Sequence, residues 1–255
     1  MTNANLQSTV EAYARGEFAG RWLAPRYELF PHELALMKAY CPDRNASILT
    51  VGCGAGRETF ALSDEGYANL HGMDCTPEMI QRAMVHGDSV GRNIPFVVAT
   101  ADALPYSDAA FDVATMFENV YGHITPREAW IASLRQVARV VKPGGLVLMD
   151  LNSQGDRLAY SFYFKAMSFL HMFANPHKCE PGDKIPRWGF LANRGQGTRV
   201  FRSHWFTPEE VVSDANEVGL RVLLSSTQKG VARDPMKSTR ALRGGGWLVC
   251  VLQRP

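Results

Sequence analysis

The sequence has no cysteine pair to build on. Cys41, Cys53, Cys75, Cys179 and Cys250 are odd in number, widely spread and never form a C-x-x-C, so neither a disulfide framework nor a zinc site is indicated. His171, His177 and Cys179 form the nearest thing to a metal trio, and they lack the paired spacing that zinc sites show, so no metal is expected. Charge of one sign is also scarce. With 27 Lys and Arg against 25 Asp and Glu, the net charge of +2 gives no electrostatic case for a nucleic-acid partner. Long apolar runs are missing too: the nearest, 158–174, falls short of the roughly 20 residues that span a bilayer and carries Lys165 and His171. Met1 to Gln7 is polar, without the apolar stretch of a secretory signal. Together these absences lead us to expect a cytoplasmic protein with no membrane span. No internal repeat or low-complexity tract is evident.

What is present is 46% hydrophobic and 20% charged residues over 255 positions, enough for a full core in one α/β domain. Its most informative stretch is Ile48-Leu49-Thr50-Val51-Gly52-Cys53-Gly54-Ala55-Gly56. Four apolar or β-branched residues read as a buried parallel strand, and a helical pattern follows over 57–63, closed by Gly66. Glycine at alternate positions lets the backbone take positive φ and approach a bound molecule with its amides. The spacing is G-x-G-x-G rather than the dinucleotide G-x-G-x-x-G, and no Gly-Lys-Ser/Thr follows to make a P-loop. An ordinary tight turn between strand and helix is the plainer reading of the same glycines.

Further strands are expected at 70–73, 96–99, 111–117, 146–151, 220–225 and 247–252. Thr76-Pro77-Glu78 opens a helix, Thr125-Pro126-Arg127-Glu128 reads as a capping box for a helix to Val141, and Thr207-Pro208-Glu209-Glu210 repeats that signal. Pro143-Gly144-Gly145 is expected to stop the second of these helices. Residues 8–40 look helical and aromatic, interrupted at Pro25 and Pro31. No helical pattern separates the last two strands, so an antiparallel pair is expected there. The fold class is therefore α/β: a doubly wound, mainly parallel seven-stranded sheet with a C-terminal antiparallel strand pair. One domain would comprise N-terminal helical cover over 1–45, a core over 46–151, an insertion over 152–206 and a closing helix and strand pair over 207–255.

Asp74 stands 18 residues beyond Gly56 at a strand end, where two carboxylate oxygens match the vicinal hydroxyls of a ribose. The plainer alternative is an Asp placed favourably before a helix. Asp102, after the third strand, is alone most simply a loop residue, yet it can accept from an exocyclic amine. At this point the sequence resembles the class I S-adenosylmethionine-dependent methyltransferases, and in particular the small-molecule group that includes the ubiquinone and menaquinone methyltransferases. The resemblance rests on Ile48 to Gly56, Asp74, Ala101-Asp102-Ala103-Leu104-Pro105-Tyr106 with Phe111-Asp112, and Val141-Lys142-Pro143-Gly144-Gly145. It implies a Rossmann-like methyltransferase fold and S-adenosyl-L-methionine as cofactor. By that likeness Gly52, Cys53 and Gly54 line the methionine and ribose, Asp74 and Cys75 hold the ribose, Asp102 and Ala103 meet adenine, and Phe117 and Glu118 lie beneath the sulfonium. The family's acid that helps hold the methionyl ammonium is replaced here by Thr50, which can accept a hydrogen bond but carries no charge. Glu58, Glu118 or a backbone carbonyl are its candidate substitutes.

Methyl transfer from a sulfonium needs positioning more than covalent chemistry. His123 is a candidate base and Tyr121 a candidate orienting group, both following strand four on the family's substrate side; His123 reads equally well as a packing residue near a helix start. The apolar run at 158–174 can be core or a lid, and such a helix needs cover from a second element, a second copy in a homodimer, or a ligand. Tyr13, Trp22, Phe164 and His171 are the candidate acceptor contacts. Glu118-Asn119-Val120 matches a fragment of the cytosine-5 DNA methyltransferases without their Pro-Cys nucleophile, and no Asn/Asp-Pro-Pro-Tyr/Phe of base-amino methyltransferases occurs. The expected reaction is transfer to an O or N atom of a small, partly apolar molecule. Methylation of a ring carbon, or cofactor binding without turnover, are the alternatives.

Overall fold

The computed structural model describes residues 10–11, 27–155, 157–171, 180–184, 203–239 and 244–255. Seven strands form one sheet in the order β3-β2-β1-β4-β5-β9-β8. They are β1 (Ser47–Val51), β2 (Asn69–Asp74), β3 (Phe96–Val98), β4 (Phe111–Met116), β5 (Val141–Leu151), β8 (Arg221–Thr227) and β9 (Leu248–Gln253). The first five are parallel, and β9 enters antiparallel between β5 and β8. The strand order reverses between β1 and β4, which places the ends of β1, β2 and β4 around one crevice.

Helices α1 (Pro31–Tyr40), α2 (Arg57–Asp64), α3 (Pro77–Ser89), α5 (Arg127–Val140) and α7 (Pro208–Glu217) cover the sheet, with short α4 (Val120–His123) and α8 (Gln228–Arg233) at loop ends. Alternate residues of one strand supply two cores. Leu49 and Val51 join Trp130, Leu134, Val137, Val211 and Ala215 on the α5 and α7 side, while Ile48 joins Leu36, Met37 and Leu62 on the α1 and α2 side. Each such side chain, fully buried, stabilises the fold by about 1.5–3 kcal/mol, so the strands with no polar face are the ones held in the middle.

Local chemistry decides several boundaries. Pro31, expected to break a helix, instead begins α1 at its first position, where a missing amide costs nothing. The Thr207 capping box forms as expected: the hydroxyl accepts from Glu210 N at 3.2 Å, and the Glu210 carboxylate accepts from Thr207 N. The Thr125 box does not form. Pro126 is the residue at the helix boundary, and the Glu180 carboxylate accepts from Arg127 N at 3.0 Å in its place. Strand β5 starts at Val141, directly from α5, because Val141 pairs with Phe111 before the register shifts at Val113 and Leu146; Pro143-Gly144-Gly145 is thus a bulge inside a strand. Helix α8 separates β8 from β9, where no helix was expected. Beyond the sheet, α6 (Leu158–His171) and a small antiparallel pair, β6 (Asp183–Lys184) with β7 (Ser203–His204), form the described part of the insertion.

Candidate active site

The glycine loop leaves β1 with Gly52, Gly54 and Gly56 at φ of 70°, 54° and 88°. These are left-handed values that residues with a Cβ rarely adopt. A Cβ on Gly52 would also come within 2.6 Å of Val120, whereas one on Gly54 would meet nothing within 4 Å, so the loop backbone at Gly54 faces open space. Cys53 N donates to Met73 O at 2.9 Å and ties the loop to β2. Its thiol is buried, and burial pushes it well above its usual range, so Cys53 contributes its backbone rather than a thiolate.

Asp74 ends β2 beside this loop. Its Oδ2 accepts from Gly54 N at 2.9 Å and its Oδ1 from Thr76 N at 2.8 Å. Burial raises its pKa while the amides of Thr76 and Gly54 lower it. The carboxylate thus braces the glycine loop and the start of α3 together. Cys75 follows, its thiol pushed up to about 12 by burial and then by Asp74. Asp102 is half-buried and Ala103 exposed in the turn after β3, closed by Ala103 N donating to Thr100 O.

Strand β4 ends in a buried Phe117 and then two non-glycine residues in left-handed conformation, Glu118 at φ 58° and Asn119 at φ 62°. Such a pair costs on the order of 1–3 kcal/mol per residue unless its surroundings hold it. Asp150, from the end of β5, does so: its Oδ1 accepts from the amides of Glu118 and Asn119, and its Oδ2 lies 2.7 Å from His32 Nε2. Asn119 clamps the far side, accepting from Asn152 N at 2.8 Å and donating to Ser203 Oγ at 2.9 Å.

Arg57, the first residue of α2, holds the Glu33 carboxylate with both terminal nitrogens at 2.9 and 2.7 Å, and its Nε lies 3.1 Å from Glu118 Oε2. Burial lifts Glu118 to about 7, Arg57 opposes that, and Glu33 and Asp150 add to it. His32, Glu33, Arg57 and Asp150 carry no sequence motif that singled them out; the one available signal was that Arg57 follows the glycine loop and Asp150 ends a strand.

The structure disperses the other candidates. Thr50 is fully buried, its hydroxyl 2.7 Å from Thr59 Oγ1 and 3.2 Å from His71 O, so it faces α2 rather than the crevice. Tyr121 belongs to the core: its hydroxyl donates to Asp214 Oδ2 at 3.1 Å and its ring stacks on Phe206. Burial, followed by Asp214, pushes that phenol well above 10, so it cannot ionise as an active-site base would. His123 ends α4, and burial lowers it to about 4, leaving a neutral and weakly basic imidazole. Phe164 is buried against Trp205, with ring centroids 5.6 Å apart. His171 ends α6, its side chain outside the described residues, as Tyr13 and Trp22 are entirely.

Residues 48–145, the span that carries the loop, Asp74, Asp102 and Glu118, match a family described as a methyltransferase domain. Over that span the chain is similar to methyltransferase domains. It is 29% identical over 144 residues to the cypemycin N-terminal methyltransferase of a Streptomyces species, covering 56% of this chain and 54% of that protein. It is 33% identical over 132 residues to the demethylmenaquinone methyltransferase of Lactococcus lactis, covering 49% and 51%. The chain thus spans about half the length of these curated relatives. In fold it is similar to a solved S-adenosylmethionine-dependent methyltransferase of Methanosarcina mazei, with a TM-score of 0.66 at 22% identity over 89% of this chain and 98% of that one.

The matched methyltransferase domain implies S-adenosylmethionine as the cofactor. The loop backbone at Gly54 faces open space, Asp74 stands beside it, and the carboxyl group of Glu118 lies at the end of β4 against Arg57. Among the described residues, no helix is long and apolar enough to cross a membrane.

Proposed function

We propose that this chain transfers a methyl group from S-adenosylmethionine to an O or N atom of a small, partly apolar molecule. The observation that carries this reading is the convergence of the open glycine cradle, Asp74 and the strained Glu118-Asn119 turn on one crevice within the matched domain. Asp74 would accept from both ribose hydroxyls, Asp102 and Ala103 would meet the adenine, and Gly52, Gly54 and Phe117 would border the methionyl chain. The cofactor, when bound, supplies an electrophilic methyl on sulfur. The protein's own part is to hold the acceptor in line and exclude water.

The acceptor side is framed by Asn119, Ser203 and the aromatic group Tyr160, Phe164 and Trp205, with Lys184 Nζ 4.3 Å from the centre of the Trp205 ring. Trp205 follows β7, which Asn119 ties to the β4 turn, so this group stands on the methyl side of the crevice. A His123 held near 4 is a poor base for a phenol. That favours an acceptor that is already nucleophilic, such as an unprotonated amine or an ionised oxygen, over one that must lose a proton to the enzyme.

Calorimetric titration with S-adenosylmethionine, its demethylated product and NAD tests the cofactor. Micromolar binding of the sulfur compounds without NAD supports the reading, and the reverse overturns it. A screen of small amines and phenols, followed by release of S-adenosylhomocysteine, then identifies the acceptor class.

A further inference from the structure

Glu118 at φ 58° and Asn119 at φ 62° follow β4, and two such residues in succession keep their shape only where the surroundings impose it. The first turn of α1 does the imposing. Asp150 Oδ1 accepts from both amides of the pair, and its Oδ2 lies 2.7 Å from His32 Nε2. The Glu118 side chain is tied as well: its Oε2 lies 3.1 Å from Arg57 Nε, while the two terminal nitrogens of Arg57 hold Glu33. His32 and Glu33 are consecutive and wholly buried. One helical turn therefore reaches Glu118 twice, through Asp150 to its amide and through Arg57 to its carboxylate. Ligand atoms of His32, Glu33 and Asp150 lie within 4.8 Å of one another, as they would around a metal ion, but each residue is already engaged: His32 by Asp150, Glu33 by Arg57, and Asp150 by His32 and two amides.

The histidine's neighbours decide where its ring hydrogen sits. Gln228 Nε2 stands 3.3 Å from His32 Nδ1. A carboxamide nitrogen only donates, so Nδ1 accepts and the hydrogen is on Nε2, facing Asp150. Gln228 is fixed in turn by its backbone amide, which donates to Trp247 O at 2.9 Å. The plane of the imidazole is set by Phe30, nearly parallel at a centroid distance of 5.9 Å, and by Trp247, edge-on at 6.4 Å. A neutral donor held in this way aims the Asp150 carboxylate without neutralising it, and the charge stays available to the amides of Glu118 and Asn119.

We infer that His32 is a positioning residue for methyl transfer: through Asp150 it sets the backbone of Glu118 and Asn119, the turn on which the donor sulfonium would rest. This rests on the methyltransferase reading, which puts Phe117 and Glu118 beneath that sulfonium. His32 is buried behind Asp150 and acts at two removes from the chemistry. A displaced turn carries the Glu118 carboxylate away from the positive sulfur, while the glycine loop and Asp74, held by their own bonds, stay in place. The sulfonium is therefore the part of the cofactor that registers a change at position 32.

Amide exchange and calorimetry on the full chain test this with S-adenosylmethionine, which carries the sulfonium, and S-adenosylhomocysteine, which does not. His32→Gln places an amide donor near the position of Nε2, and His32→Asn ends short of it. The Asn variant is expected to speed hydrogen exchange at the Glu118 and Asn119 amides about tenfold or more, with Leu49 in β1 exchanging as in the wild type. It should also weaken S-adenosylmethionine binding about fivefold while changing S-adenosylhomocysteine binding less than about twofold. The Gln variant should bring both readouts back to within about twofold of the wild type. In the wild type, long-range nitrogen–proton NMR should find the His32 hydrogen on Nε2; a hydrogen on Nδ1, alone or in addition, would overturn the inference without any variant. Equal losses in the two variants would reduce His32 to packing and overturn it too, as would an unchanged ratio of the two affinities in the Asn variant, whatever the exchange rates. A wild-type chain that binds neither compound would instead overturn the methyltransferase reading, with the exchange rates still testing the link from His32 to the turn.

Discussion

Glu58 is buried at a cost to the fold, and the sign of that cost is measurable. Its ordinary value is 4.5 and the folded protein raises it to about 8. The folded state therefore favours the protonated acid, and the stability this confers is full below about 4.5 and lost as pH rises through about 8. Glu58→Gln, which cannot ionise, is expected to unfold at higher denaturant than the wild type above pH 8 by about 1 kcal/mol or more, and to match it in acid. An unchanged alkaline limb would show that the carboxyl is not the group being charged. His123 works in the opposite sense. Lowered from 6.5 to about 4, it subtracts stability as pH falls through that interval, because the unfolded chain takes the proton first. Asp74→Ala has a different readout: it should weaken S-adenosylhomocysteine binding at least tenfold, about 1.4 kcal/mol, by removing the acceptors proposed for the ribose and the brace on Gly54. Unchanged affinity would remove Asp74 from the ribose. The glycines, Asp74 and Asp102 could be singled out in the sequence because they stand at fixed offsets from strand ends. Thr50, Tyr121 and Arg57 were not. Which way a side chain turns depends on what packs above it, and Asp214, the partner that draws Tyr121 into the core, lies 93 residues away.

At the scale of elements, turn chemistry and apolar runs placed nearly every strand to within a residue or two, since the period and the punctuation are local. The failures share a physical reason. Pro143-Gly144-Gly145 reads as a stop, yet the edges of β4 and β9 capture the chain on both sides and carry it through as a bulged strand. The Thr125 box lost to Glu180, a carboxylate from the insertion that no local pattern reveals. The same insertion is anchored by a buried pair: His204 Nδ1 lies 2.9 Å from Asp183 Oδ1, with Glu210 Oε1 3.6 Å from Nε2. Burial alone would lower His204, but Asp183 and Glu210 raise it to about 9, so the ring is charged and its contribution is lost only as pH rises past that value. Asp183→Asn should lower stability at neutral pH by about 2 kcal/mol and weaken acceptor binding more than cofactor binding. Thermal melts and the two separate titrations check this, and equal loss of both ligands would detach the β6–β7 pair from the acceptor side.

For the whole molecule, the position of β9 matters most. Residues 248–253 are almost wholly buried and pair with β5 on one side and β8 on the other. Neither the parallel half nor the strand pair is complete without them. Removing residues 248–255 is expected to yield insoluble protein, read by sedimentation of the expressed chain; a soluble, cofactor-binding product would show that strands β1 to β5 stand alone. The order of events during synthesis follows from the same arrangement. As the chain leaves the ribosome, β1 to β5 and their helices emerge first, and the apolar edge of β5 from Leu146 to Leu151 waits uncovered for the last strand. Until that strand arrives, the growing polypeptide offers a sticky template to any neighbour, and a stalled or prematurely terminated copy keeps offering it. Each nascent chain therefore depends on prompt completion, or on a chaperone covering that edge, to avoid aggregating with its siblings.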